Sequence, residues 1–114
     1  MARLGDVMWT GRSGRRYRFQ TWSFHTRFQP LGAVFLVTRR FMTDDNRTYR
    51  RASHEILHAG HTAKLSEPLV SVSELESLER KGANCVCVFP AGDAEERQFV
   101  LDDLPTGAER LRRW

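Results

Sequence analysis

Three groups of residues in this chain have side chains able to do chemistry, and the first is histidine. His54, His58 and His61 are clustered, and on a helix their spacing would bring three imidazoles to one face, as a metal requires. Residues 55 to 59 read instead as a strand, which puts His54 and His58 on one face and leaves His61 in a turn after Gly60, so three nitrogens do not converge. The second group is Cys85 and Cys87, which share one face of a short apolar strand and read as two small buried hydrophobes rather than a redox pair. No glycine-rich phosphate loop or G-x-S-x-G is present. Asp44-Asp45 and Asp102-Asp103 are adjacent residues that project in different directions. A conventional hydrolase site is absent, and neither a metal nor a cofactor is expected.

The third group is arginine. Residues 1 to 51 hold 11 Arg against Asp6, Asp44 and Asp45, a net +8, whereas residues 52 to 114 hold 7 basic and 11 acidic residues, a net −4. A basic half of this kind draws a domain toward nucleic acid, anionic lipid or an acidic protein, because Arg and Lys on phosphates supply most sequence-independent affinity. The competing reading is arginine on an ordinary solvated face.

The elements that must position these groups follow from periodicity and turn chemistry. Val7 to Thr10 and Arg15 to Phe24 are rich in β-formers and flank Gly11-Arg12-Ser13-Gly14, which predicts a hairpin. Its apolar parity changes from Tyr17 and Phe19 to Trp22 and Phe24, which predicts a bulge or bend near Gln20 and Thr21. Leu31 to Val37 is almost continuously apolar and is expected in the middle of the sheet. Thr43 to Ser53 is polar, with a turn signal at Asp44-Asp45-Asn46, and reads as a loop before a strand over Glu55 to Ala59 that Gly60 ends. Ser66 to Lys81 carries Leu69, Val72, Leu75 and Leu78 at helical spacing, with S-x-x-E boxes at Ser71–Glu74 and Ser73–Glu76. Asn84 to Phe89 predicts another buried strand. Asp93 caps a last helix with Val100, Leu101 and Leu104 as its apolar stripe, broken by Pro105 and Gly107, and the last seven residues are expected to fray. The order β-β-β-β-α-β-α defines an α+β domain with a mixed or antiparallel sheet.

Length and composition agree with one compact domain over residues 1 to 114: 40% of residues are hydrophobic and 28% charged. The longest apolar run, Leu31 to Val37, is too short to cross a bilayer, and the basic N-terminus has no adjoining apolar stretch, so no membrane partner and a cytoplasmic location are expected. Two cysteines cannot build a disulfide framework.

Three phrases then stand in a familiar order: Gly32-Ala33-Val34-Phe35-Leu36-Val37-Thr38-Arg39-Arg40, His58-Ala59-Gly60-His61-Thr62-Ala63-Lys64-Leu65-Ser66-Glu67, and Gly82-Ala83-Asn84-Cys85-Val86-Cys87-Val88. With the helices after the second and third, residues 31 to 104 resemble a small stand-alone bacterial member of the GIY-YIG nuclease superfamily. Residues 1 to 30 would be an added hairpin and 105 to 114 a tail. The resemblance implies a tyrosine from each signature, an arginine on the first helix and a glutamate on the later helix holding one divalent metal. Those positions fall on Phe35, His58, Pro68 and Leu101. Phe35 has no hydroxyl, Pro68 has no charge to offset the transition state, and Leu101 cannot ligate a metal, leaving His58 alone as a base.

The expectation is therefore a GIY-YIG-like domain without nuclease activity. It would bind DNA or RNA through Arg15, Arg16, Arg18, Arg39, Arg40, His58, His61 and Lys64. The alternative is a protein-interaction or homodimerisation module anchored by Trp9, Trp22, Phe24, Phe28 or Trp114 beside arginines. A third reading keeps an active metal-dependent nuclease with an unusual His58 site.

Overall fold

The computed structural model describes residues 3–45 and 49–105. Five strands and two helices follow in the order β1 (Arg3–Thr10), β2 (Arg16–Ser23), β3 (Ala33–Asp45), β4 (Tyr49–Thr62), α1 (Val72–Arg80), β5 (Cys85–Pro90) and α2 (Ala94–Asp103). This is the α+β order that turn residues and periodicity predict. All strand pairs are antiparallel, in the spatial order β1-β2-β5-β3-β4. The middle strand is thus β5, not the apolar run of β3. Both are covered on two faces, so their patterns look alike and do not say which of the two is central.

Alternation along the strands divides the core in two. On one face Tyr17, Phe19, Val34, Leu36 and Cys87 pack with Val100 and Leu104 around α2. On the other, Ala33, Phe35, Val37, Val86 and Val88 pack with Leu65 and Leu78 of the α1 side. This division explains the parity change in β2. Tyr17, Phe19 and Thr21 are buried on the α2 face, while Trp22 and Phe24 belong to the α1 cluster, and the β2–β5 register is unbroken from Gln20 to Ser23. The irregularity of this hairpin does face Gln20 to Trp22, but its extra residue is on β1, between Arg3 and Asp6, and not on β2.

The β3–β4 pair departs furthest from expectation. The segment read as a loop from Thr43 to Ser53 is strand on both sides, with Asp45 opposite Tyr49. Gly60 lies inside β4 rather than ending it, opposite Phe35, and a Cβ built there would stand 2.9 Å from the Phe35 ring. Helix α1 is shorter than the periodic stretch Ser66 to Lys81. The capping box forms at Ser71 and Glu74, so chain from Ser66 to Val70 stays outside the helix. Asp93 caps α2 as its sequence predicts, accepting from the Glu96 amide at 3.0 Å. The expected frayed tail and Trp114 lie outside the described residues.

Candidate nucleic-acid interface

Strand β5 flanks β3 only from Ala33 to Thr38, yet β3 pairs with β4 as far as Asp45. Residues 39 to 45 and 49 to 55 consequently form a two-stranded ribbon that extends past the sheet by seven residues on β3, roughly 20 Å at the usual strand rise. The base of the ribbon is fixed by side chains. Asn84 presents its amide to the backbone of Arg40, with Oδ1 accepting from the Arg40 N–H at 2.7 Å and Nδ2 donating to the Arg40 carbonyl at 3.0 Å. It thereby ends the pairing of β5 with β3 in the manner of one more strand residue. On the α2 face, Thr38 Oγ1 and His54 Nδ1 are 2.9 Å apart and tie β3 to β4.

The arginines of the ribbon come from both strands: Arg39 and Arg40 on β3, Arg50 and Arg51 on β4. Arg39 donates from Nε to Glu55 Oε1 at 2.9 Å, and its guanidinium lies 4.5 Å from the Phe41 ring centre. Arg40 has no carboxylate partner among the described residues. A loop reading of residues 43 to 53 does not single out Arg50 and Arg51, because it hides their strand. A turn signal at Asp44-Asp45-Asn46 with β-formers on both sides was the cue available.

The other predicted residues do not join this group. The registers place Gln20 level with Phe35 through Val88, so Arg18 lies six residues along from Arg39, roughly 20 Å away on strand rise alone. Arg16 is further still. Arg18 is 3.9 Å from Asp6, and the Arg15 guanidinium sits 5.3 Å from both the Tyr17 and the Phe99 rings, on the α2 side. Lys64 is exposed in the connection after β4.

The histidines separate for a specific reason. Val37 faces His58 but Thr38 faces Ile56, so Leu57 is an extra residue and the parity of β4 reverses across it. His54 is on the α2 face, whereas His58 stacks on Phe35 on the α1 face, centroids 6.0 Å apart. They do not share a face as simple alternation predicts. His61 is in β4, not in a turn. Its Nδ1 accepts from Arg97 Nε at 3.3 Å and its Nε2 meets Gln98 Oε1 at 3.2 Å, so the ring is engaged on the α2 side. Among the described residues, no three His, Cys, Asp or Glu side chains are grouped to hold a metal. Cys85 and Cys87 are both buried, and burial pushes the Cys87 thiol up to about 11, away from the reactive thiolate.

The four positions aligned with nuclease residues likewise fail to converge. Phe35 and His58 are on the α1 face and Pro68 is in the connection before α1, whereas Leu101 packs on the α2 cluster across the sheet. Trp9 and Trp22 do not form one anchor either: Trp9 packs on the α2 cluster and Trp22 on the α1 cluster. Among the described residues no helix is long and apolar enough to cross a membrane. No family model, no curated protein and no solved structure matches the chain.

Proposed function

We propose that this chain binds nucleic acid without cleaving it, and that the β3–β4 ribbon is its principal contact. The observation that carries the reading is a two-stranded ribbon free of the sheet with four arginines distributed over both strands. A duplex major groove, about 12 Å wide, admits a two-stranded ribbon, and guanidinium groups on it reach phosphates on either wall. The resemblance to the GIY-YIG group belongs to this proposal through β3, β4 and β5. Non-cleavage rests on the replaced residues: Phe35 has no hydroxyl, Pro68 no guanidinium, and Leu101 supplies no ligand and lies across the sheet. The corner that carries Arg16 and Arg18 is a secondary contact at most.

Titration of fluorescent DNA and RNA against the full chain over a salt series tests this. Binding should weaken steeply with salt, and Arg40→Ala combined with Arg51→Ala should reduce the slope of log K against log salt by about 2. Arg16→Ala combined with Arg18→Ala should leave that slope nearly unchanged. Absence of binding at low salt, or a slope indifferent to the ribbon pair, overturns the reading. Plasmid incubated with Mg²⁺ or Mn²⁺ should stay intact, and cleavage abolished by His58→Ala would establish the nuclease instead.

A further inference from the structure

Helix α1 covers its face of the sheet incompletely. Leu78, near its C-terminus, is buried, but Val72 at its start is 75% exposed, so the first turn stands away from the core. Between Leu75 of this helix and the connection from Phe24 to Leu31 lies a cavity of about 570 Å³, and under that connection a neighbouring one of about 370 Å³. They share Thr26, Arg27, Phe28 and Leu65 and so are two chambers on either side of one wall. The larger reaches the sheet at Val37 and Val86, and its size falls in the range of about 300–1,000 Å³ usual for small-molecule sites. The smaller is bounded by Trp22 and Val88 and also by the amides of Gln20 and Gln29.

Charge gives the pair of chambers a direction. Arg27 lines both, is exposed, and makes no hydrogen bond or ion pair among the described residues. Glu67 lines only the larger chamber, and no carboxylate lines the smaller. A guanidinium without a partner at the boundary of an apolar cavity complements an anion attached to an apolar body. Neutral amides on the same side add donors for its oxygens. A cationic head would meet Arg27, and a purely apolar ligand would leave it unused.

We infer that the two chambers bind an amphipathic carboxylate the size of a medium-chain fatty acid, its chain in the larger chamber against Val37 and Val86 and its carboxylate on Arg27. This site is independent of the ribbon and of the nucleic-acid reading.

Calorimetric titration of the full chain with decanoate, decanol and decyltrimethylammonium, each below its micelle-forming concentration, tests it. Decanoate should bind saturably to one site, more tightly than decanol, and the ammonium compound least. Arg27→Ala should weaken decanoate by about tenfold and leave decanol unchanged, as loss of one charge-assisted contact requires. Leu69→Trp, which fills the larger chamber from a connecting segment, should remove binding of both. Arg27 is exposed, so its variant keeps the fold, and circular dichroism verifies this for each variant. No saturable decanoate binding, equal binding of the three head groups, or decanoate affinity untouched by Arg27→Ala overturns the inference.

Discussion

Asp103 joins two parts of the chain that are ninety residues apart. Its carboxylate accepts from the Ser13 amide at 2.9 Å, the Ser13 hydroxyl at 2.7 Å and the Tyr17 hydroxyl at 2.8 Å, while its carbonyl accepts from the Arg12 amide at 2.7 Å. Gly11 is required beside it, because a Cβ there would lie 2.0 Å from the carboxylate. The end of α2 is thereby latched to the β1–β2 turn. The Ser13 hydroxyl bond, with the Tyr17 and Ser13 amide bonds after it, holds the Asp103 carboxyl below its ordinary range against the opposing effect of burial. A folded value below the unfolded one, roughly 3.9, means that the contribution is complete above that pH and is lost as pH falls through the folded value. Asp103→Asn should therefore lower Tm by several degrees at neutral pH. Its deficit should shrink on acidification until the two proteins melt together, and thermal melts across an acid series check this. Sequence shows Asp102 and Asp103 as neighbours that point apart, but only the tertiary position of Ser13 decides which is the buried one. Arg97 has the same character. Its guanidinium is buried against the carbonyls of Ala91 at 3.0 Å and Gly92 at 2.9 Å, and an exposed helix arginine would read identically.

At the scale of elements, β3 and β4 are held in register by the meeting of Phe35 with Gly60. The ring lies where a side chain on the facing strand would be, and it stacks with His58. Gly60→Ala would press a methyl into a ring that is only 3% exposed and has little room to move. The expected loss is about 1–3 kcal/mol, typical of overpacking, measured by urea denaturation; an unchanged midpoint would mean that the ring gives way freely. In sequence the same glycine reads as a strand end, because a glycine after an apolar run is usually punctuation and its cross-strand partner is unknown. Legibility of the other elements follows one rule. Hydrophobic pattern exists only where a face is covered, so β2, β5, α2 and the first half of β3 are plain from alternation or apolar runs and from Asp93 and Gly11–Gly14. The ribbon is polar and charged, its residues carry no apolar alternation, and it reads as loop. The candidate site was legible as to residue type and at Arg39 and Arg40. Arg50 and Arg51 were hidden with their strand, and Arg15, Arg16 and Arg18 belong to another corner of the sheet.

Taken whole, the molecule joins a five-stranded body, packed on both faces, to a two-stranded ribbon whose strands pair only with each other beyond Thr38. The two parts should differ in local stability. Amides of Phe35, Leu36 and Val37 lie in a strand with partners on both sides and buried side chains above and below. Those of residues 39 to 42 and 52 to 55 have one neighbouring strand and half-exposed or exposed side chains. Local opening frees such amides long before global unfolding, so hydrogen exchange should be fast in the ribbon and slow in β5 and the first half of β3. The division of charge along the chain gives this contrast a functional meaning. The basic half includes β3 and the start of β4, and the acidic half includes both helices, whose first turns carry Glu74 in α1 and Glu95 and Glu96 in α2. On the proposed reading an anionic polymer would meet the ribbon, where four arginines stand against Asp44, Asp45 and Glu55, rather than the more acidic helices. Exchange measured with saturating duplex should slow in residues 39 to 42 and 52 to 55 and remain unchanged in α1 and α2. Protection that appears on the helices instead, or a ribbon already as slow as β5 in the free protein, would contradict both the stability contrast and the ribbon as the contact.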